Sequence, residues 1–121
     1  MRLPGTQTFG KLERIRKRAH FLDAHQKGVR FSSENFVVIL HGNELGARRL
    51  GVTVGKKVGK AVRRNRIKRL VREFFRLRKD KLPDSKDIVI IARNDVSSLK
   101  YQDICTELEK LFERARTNCR A

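Results

Sequence analysis

Arg49-Leu50-Gly51-Val52-Thr53-Val54-Gly55 sets apolar Leu50, Val52 and Val54 alternately against Gly51 and Thr53, and beyond Lys56-Lys57-Val58-Gly59-Lys60 the period changes. From Lys60 to Lys79 the apolar residues Ile67, Leu70, Val71, Phe74 and Leu77 recur at helical spacing. Alternation with period two marks a strand and recurrence near 3.6 marks an amphipathic helix, so the chain passes here from strand to helix through a short glycine- and lysine-rich turn. At ~100° per residue, Asn65, Lys68, Arg69, Arg72 and Arg76 gather on the side opposite the apolar stripe. One face of this helix is therefore meant for a core, and the other is strongly cationic.

Outward from this junction the rest of the fold follows. Phe36 to His41 is a second strand, joined to the first by the loop His41 to Gly46, and Val29 to Phe31 forms a short strand before it. Arg16 to Lys27 is helical, and Gly28 stands at the C′ position, where a positive φ is expected. Pro83 and Asp84 end the basic helix, Asp87 to Ala92 is a buried strand, and Leu99 to Arg116 is a helix. Its residues Tyr101, Ile104, Cys105, Leu108, Leu111 and Phe112 form an apolar face meant for a sheet. The order is α-β-β-β-α-β-α, an α/β sandwich in one domain spanning residues 1–121, with loose termini at 1–11 and 117–121.

The charge is extreme: 30 Lys and Arg against 13 Asp and Glu leave a net +17 in 121 residues. Such a chain repels itself and calls for a polyanion, which disfavours a free-standing enzyme of small neutral metabolites. No apolar run approaches the roughly 20 residues of a membrane span, and the start of the chain lacks the apolar core of a signal peptide. The expected location is the cytoplasm. Cys105 and Cys119 are too few and too badly placed for a disulfide framework or a zinc site.

Between Glu44 and Glu73 the chain has no acid at all, while Arg48, Arg49, Lys56, Lys57, Lys60, Arg63, Arg64, Arg66, Lys68, Arg69 and Arg72 fall inside. A solvated helix ordinarily mixes signs to gain i,i+4 pairs; this one forgoes them, at a few tenths of a kcal/mol for each like-charge neighbour. RNA or DNA phosphates would supply the missing counter-charge. A membrane surface would compete for the apolar stripe that the core requires. Gly55 to Ala61 is not a nucleotide-binding P-loop, because its glycines are one residue too close and Ala61 stands where Ser or Thr would bind magnesium. It suits a strand-to-helix turn whose free N–H groups and lysines meet a phosphate. Asn65 can offer an amide to a base edge or a metal-bound water, or serve as a cap or packing residue.

Arg64-Asn65-Arg66-Ile67-Lys68-Arg69-Leu70-Val71-Arg72-Glu73, preceded by Gly51 to Lys57 and Gly59-Lys60-Ala61-Val62, resembles the signature of the bacterial ribonuclease P protein family. Arg18 and Phe21 with Lys27-Gly28, and Asp87 to Arg93, extend the resemblance over residues 12 to 113. It implies the small subunit of a ribonucleoprotein that removes the 5′ leader from precursor tRNA. The RNA subunit would hold the catalytic magnesium, and the protein would bind that RNA and the leader, with no catalytic or metal-ligating side chain and no obligatory protein partner. It also implies a ribosomal-protein-like sandwich whose basic helix makes a left-handed crossover between parallel strands, against the usual hand.

The same resemblance assigns RNA binding to Lys56, Lys57, Lys60, Arg64, Asn65, Arg66, Lys68, Arg69 and Arg72. It assigns the leader to a cleft between the first helix and the sheet, lined by Phe21, His25 and Phe36. His25 stands where the family carries an aromatic, and Ile39 replaces another. Phe21 and Phe36 equally suit core packing. The residues themselves are consistent with a non-catalytic protein: the acids are scattered, those at 103, 107, 109 and 113 are expected on the outer face of the last helix, and no histidine has a metal-binding partner at ligand spacing. The alternative reading is a structural RNA-binding protein of ribosomal type.

Overall fold

The computed structural model describes residues 14–15, 18–43, 48–79, 82, 86–96 and 98–118. The elements are α1 (Arg18–Lys27), β1 (Val29–Ser32), β2 (Phe36–Gly42), β3 (Arg49–Val54), α2 (Ala61–Leu77), β4 (Lys86–Ala92) and α3 (Tyr101–Asn118). A single 3-10 turn at Lys56–Val58 precedes α2. The expected order α-β-β-β-α-β-α is what the chain forms. The last helix runs on to Asn118, so residues 117 and 118 are not a loose end. Cys119, Pro83, Asp84, residues 1–11 and most of the loop after Gly42 lie outside the described residues.

The strands form one sheet in the order β1-β2-β4-β3. β2 pairs antiparallel with both β1 and β4, whereas β3 and β4 run parallel and are joined through α2, as a crossover requires. Strand alternation sends Phe36, Val38, Leu40, Leu50, Val54, Ile88, Ile90 and Ala92 to one face. There they meet Ile67, Val71, Phe74 and Phe75 of α2 and Ile104, Leu108, Leu111 and Phe112 of α3, in the main core. The α2 stripe is rotated from expectation: Phe75 is fully buried, while Leu77, in the last turn, is exposed. Phe74 and Phe112 stack with centroids 6.0 Å apart, and the Arg78 guanidinium lies 4.9 Å over the Phe74 ring.

The other face carries three rows of side chains running across the strands. Register places Ser32, Val37, Ile91 and Thr53 in the first, Arg30, Ile39, Val89 and Gly51 in the second, and His41, Asp87 and Arg49 in the third. Helix α1 lies across this face. Ala24 is buried with Ile39, Val89 and Ile15, and Phe21 packs against the same group. Gly28 does not have the positive φ expected of it. Glycine is needed for close approach instead, since a Cβ there would sit 2.4 Å from the Ala24 carbonyl oxygen and 2.5 Å from Ile39 Cγ2. Gly51 serves the same end, its missing side chain leaving room for the Phe21 ring.

Polar contacts hold α1 at both of its ends. Arg49 donates a fork of two 2.7 Å hydrogen bonds to Asp87, whose Oδ1 also accepts from Asn43 at 3.0 Å. Its remaining Nη1 donates to His20 Nδ1 at 3.2 Å, so α1 is tied to β3. At the other end Arg30 of β1 reaches His25 Nδ1 at 3.4 Å. Burial pushes the Asp87 carboxyl up, but the bonds from Arg49 and Asn43 and the neighbouring positive charge hold it below its ordinary range.

Candidate nucleic-acid interface

The cationic side of α2 stands clear of the core. Asn65, Lys68, Arg69, Arg72, Glu73 and Arg76 line an open cleft of ≈ 430 Å³, as their angular positions on the helix require. Glu73 bonds to Arg76, one turn along, so those two charges offset each other within the wall. The opposite wall is Arg14, which the sequence reading left out. Residues 14 and 15 lie parallel to β3, with a bridge from Arg14 to Leu50 and a 2.9 Å hydrogen bond from Ile15 N–H to the Leu50 carbonyl. Burial first, and then the charge of Arg14, lower the Arg72 pKa from its usual value. No local period could reveal Arg14, because it joins the cleft only through pairing with a strand far along the chain.

The remaining expected residues divide by position. Lys56, Lys57 and Lys60 are exposed on the turn that leads into α2. Lys60 is the N-cap residue, and its own side chain makes no capping bond to the N–H groups that open the helix. Arg64 folds back to donate to the Gly59 carbonyl at 3.2 Å, while Asn65 and Arg66 point outward. Arg63, which the resemblance did not single out, pairs with Asp95 at 2.9 Å. The three residues at 64 to 66 thus do different things: the first braces the turn, and the other two face solvent.

On the α1 side the expectations fare unevenly. Phe21 is half-buried, with its ring lying against Gly51 and beside the open row formed by Val37, Ile91 and Thr53. His25 is also half-buried and engaged with Arg30. Phe36 cannot line this cleft: its side chain is 0 % exposed and sits in the main core beneath α2 and α3, because strand parity turns it to the opposite face. On the α1 side, Val37 and His41 of β2 are partly accessible, whereas Ile39 is wholly covered. This trough is apolar at its floor and stops at Arg93 and Asn94, which follow β4 and are exposed.

Those two residues are held by the turn between β1 and β2. Arg93 N–H donates to the Asn35 carbonyl at 2.7 Å, Arg93 Nη1 to the Ser33 carbonyl at 2.9 Å, and Asn94 Nδ2 to the Glu34 carbonyl at 2.9 Å. Glu107 of α3 secures the turn by accepting from the Ser33 hydroxyl and from both the backbone N–H (2.8 Å) and the side-chain amide (2.9 Å) of Asn35. Burial raises the Glu107 carboxyl, but these hydrogen bonds bring it below its usual value. The expectation that Glu107 lies on an outer face is therefore corrected, and Glu109 is likewise engaged, accepting from Arg78 at 2.6 Å.

Among the described residues no three His, Cys, Asp or Glu side chains come together as a metal-binding group. Asp87, Asp95, Glu73, Glu107 and Glu109 are each committed to arginines or to the turn at Ser33. No described helix is long and apolar enough to cross a membrane. What the molecule does offer is a cationic helix face with its approach turn, and an apolar trough on the reverse side of the sheet. Together these define a small α/β protein with a strongly cationic helix face.

Comparison with known proteins makes the class specific. The family description Ribonuclease P matches residues 9–116. The ribonuclease P protein component of Syntrophus aciditrophicus is 51 % identical over 111 residues, covering 92 % of this chain and 93 % of the relative. That of Thermotoga maritima is 43 % identical over 108 residues, covering 88 % and 92 %. Among solved structures, the Staphylococcus aureus RNase P protein superposes with a TM-score of 0.78 at 38 % identity, over 85 % of this chain and 94 % of that one. The Thermotoga maritima RNase P protein gives 0.77 at 39 %, over 84 % and 96 %. The chain belongs to the ribonuclease P protein family. It is thus a protein component of a ribonucleoprotein endoribonuclease of tRNA processing, whose partner is an RNA subunit.

Proposed function

We propose that this chain binds the catalytic RNA of ribonuclease P through α2 and its approach turn, and holds the 5′ leader of precursor tRNA in the trough beneath α1. Leader removal is then an RNA-catalysed, magnesium-dependent hydrolysis that the protein assists. The observation that carries this reading is the cleft wall of Asn65, Lys68, Arg69 and Arg72, whose one carboxylate among the described residues is already bonded to Arg76. Phosphates are the partners that relieve such a face, and each one neutralised releases counterions. In the trough, Phe21 offers a partly exposed ring, and stacking a base on an aromatic ring contributes ~1–3 kcal/mol.

The donor set argues against a metal centre on the protein. Two-metal phosphodiester hydrolysis needs clustered acids ~3.5–4 Å from metal to metal, and the carboxylates named above are spent on arginines and turns. The magnesium ions therefore belong to the RNA in this reading, and the setting is the cytoplasm, with neither a membrane nor another protein required.

The test is RNA binding across a salt series, with the wild type, Arg69→Ala and Asn65→Ala against a bacterial ribonuclease P RNA transcript and against precursor tRNA. Log K should fall linearly with log salt, by about 0.7–0.9 for each phosphate contacted. Arg69→Ala should flatten that slope, and Asn65→Ala should weaken binding at every salt concentration with an unchanged melting profile. A salt-independent affinity, or wild-type affinity in both variants, overturns the assignment.

A further inference from the structure

The N-terminal stub and α2 come from different parts of the chain, yet they close one cleft. Ile15 is buried with the α1 cluster and its N–H is bonded to the Leu50 carbonyl. Neighbouring residues of an extended segment point to opposite faces, so burying Ile15 under α1 commits Arg14 to the α2 side. There it stands across ≈ 430 Å³ of open space from Asn65, Lys68, Arg69 and Arg72. That volume falls within the ~300–1,000 Å³ of small-ligand sites.

Docking the stub thus brings a positive charge toward other positive charges. Burial first, and then the charge of Arg14, lower the Arg72 pKa, so the two guanidinium groups feel each other across the cleft. A phosphate placed between them reverses the sign, because both guanidinium groups then share one anion. Arginine suits this role, since its planar fork can take two phosphate oxygens at once. The bridge to Leu50, the hydrogen bond from Ile15 N–H and the buried Ile15 side chain hold this segment to β3, and a ligand that engages Arg14 adds to that attachment.

We propose that Arg14 and Arg72 form a clamp on an RNA phosphodiester, split between the N-terminal segment and α2, and that phosphate binding fastens residues 14 and 15 to the edge of β3. This rests on the RNA-binding reading and assigns a residue to it. The phosphodiester is supplied either by the ribonuclease P RNA or by precursor tRNA, so each is titrated separately. Linkage makes the coupling reciprocal: if RNA stabilises the docked stub, the docked stub strengthens RNA binding.

The experiment compares full-length wild type, Arg14→Ala, Arg14→Lys and, as a control on α3, Lys110→Ala, in salt-series binding to each RNA. Arg14→Ala should reduce the slope of log K against log salt by about 0.7–0.9 for the lost phosphate contact with at least one RNA. Arg14→Lys should restore the slope, and Lys110→Ala should leave it unchanged. Hydrogen exchange supplies the second readout: Ile15 N–H should exchange more slowly when RNA is added to the wild type, and this slowing should vanish in Arg72→Ala. Wild-type slopes for Arg14→Ala in both titrations, while the wild type binds RNA normally, overturn the clamp and leave the functional reading intact. Unchanged Ile15 exchange overturns the fastening. Failure of the wild type to bind either RNA overturns both readings together.

Discussion

Replacing Asp87 with Asn removes the charge from the side chain that holds Arg49, the residue that ties α1 to the sheet through His20. Asp87 is 3 % exposed and its Arg49 partner 14 %, and both carboxylate oxygens are occupied by bonds of 2.7 Å. Asparagine keeps the shape but turns one acceptor into a donor that faces the guanidinium. Removing one partner of a buried pair costs about 3–5 kcal/mol, mostly from the charge left behind. The retained amide oxygen places Asp87→Asn near the lower end, about 3 kcal/mol. With a urea m-value of ~1–3 kcal/mol/M for a small domain, the midpoint should drop by ~1–3 M.

The pH dependence gives this prediction its sign. Because the folded carboxyl lies below its ordinary value, its contribution is full above the unfolded pKa of about 3.9 and is lost as pH falls through the folded value. The stability gap between wild type and Asp87→Asn should therefore be constant from pH 7 to about pH 5 and begin to close below about pH 4. Urea melts followed by circular dichroism at several pH values measure it. A gap under about 1 kcal/mol at pH 7, or one that widens on acidification, would refute the argument.

Three more outcomes follow from the packing and the hydrogen bonds. Gly28→Ala places a Cβ against two backbone oxygens and Ile39, obstacles that cannot swing aside, and should cost at least the ~1–3 kcal/mol of overpacking; a urea midpoint equal to wild type would contradict the close approach. Glu107→Gln should destabilise by about 1–3 kcal/mol at pH 7, with the difference shrinking as the pH is lowered through the depressed folded pKa, and exchange at the amides of Asn35 and Arg93 should accelerate. Tyr101 is the single tyrosine, in a chain without tryptophan, so its ionisation can be read alone from ultraviolet absorbance. Burial, then Cys105, push it up to about 12 in the folded protein, against about 10 in guanidinium chloride; the stability tied to it is full below pH 10 and lost as pH rises through 12. A folded-state midpoint at 10 would show that the ring is not held as described.

Features carried by local period were legible in the sequence. The switch from alternation at Leu50, Val52 and Val54 to helical recurrence at Ile67, Val71 and Phe74 places β3 and α2, and the same angular arithmetic brings Asn65, Lys68, Arg69 and Arg72 to one wall. Features that depend on tertiary pairing were not. Phe36 opens an apolar strand in which every residue resembles its neighbours, so parity alone could not say which face it takes until β2 was paired with β4. Gly28 was read correctly as a boundary but for the wrong reason, because the atoms that exclude a side chain belong partly to Ile39 and Leu40. The roles of Asp87 and Glu107 rest on partners 38 and 72–74 residues away, and Arg14 acquires its place only through Leu50. A periodic pattern carries no record of contacts at such separations.

The central claim is that this cationic scaffold enables an RNA to cleave, and multiple-turnover cleavage of a precursor tRNA by a bacterial ribonuclease P RNA, with and without the purified protein across a magnesium series, tests it most directly. The account predicts that at low magnesium the RNA alone is nearly inactive and the protein restores removal of the 5′ leader. Cleavage that is the same with and without protein at every magnesium concentration would contradict it and leave only a structural RNA-binding protein.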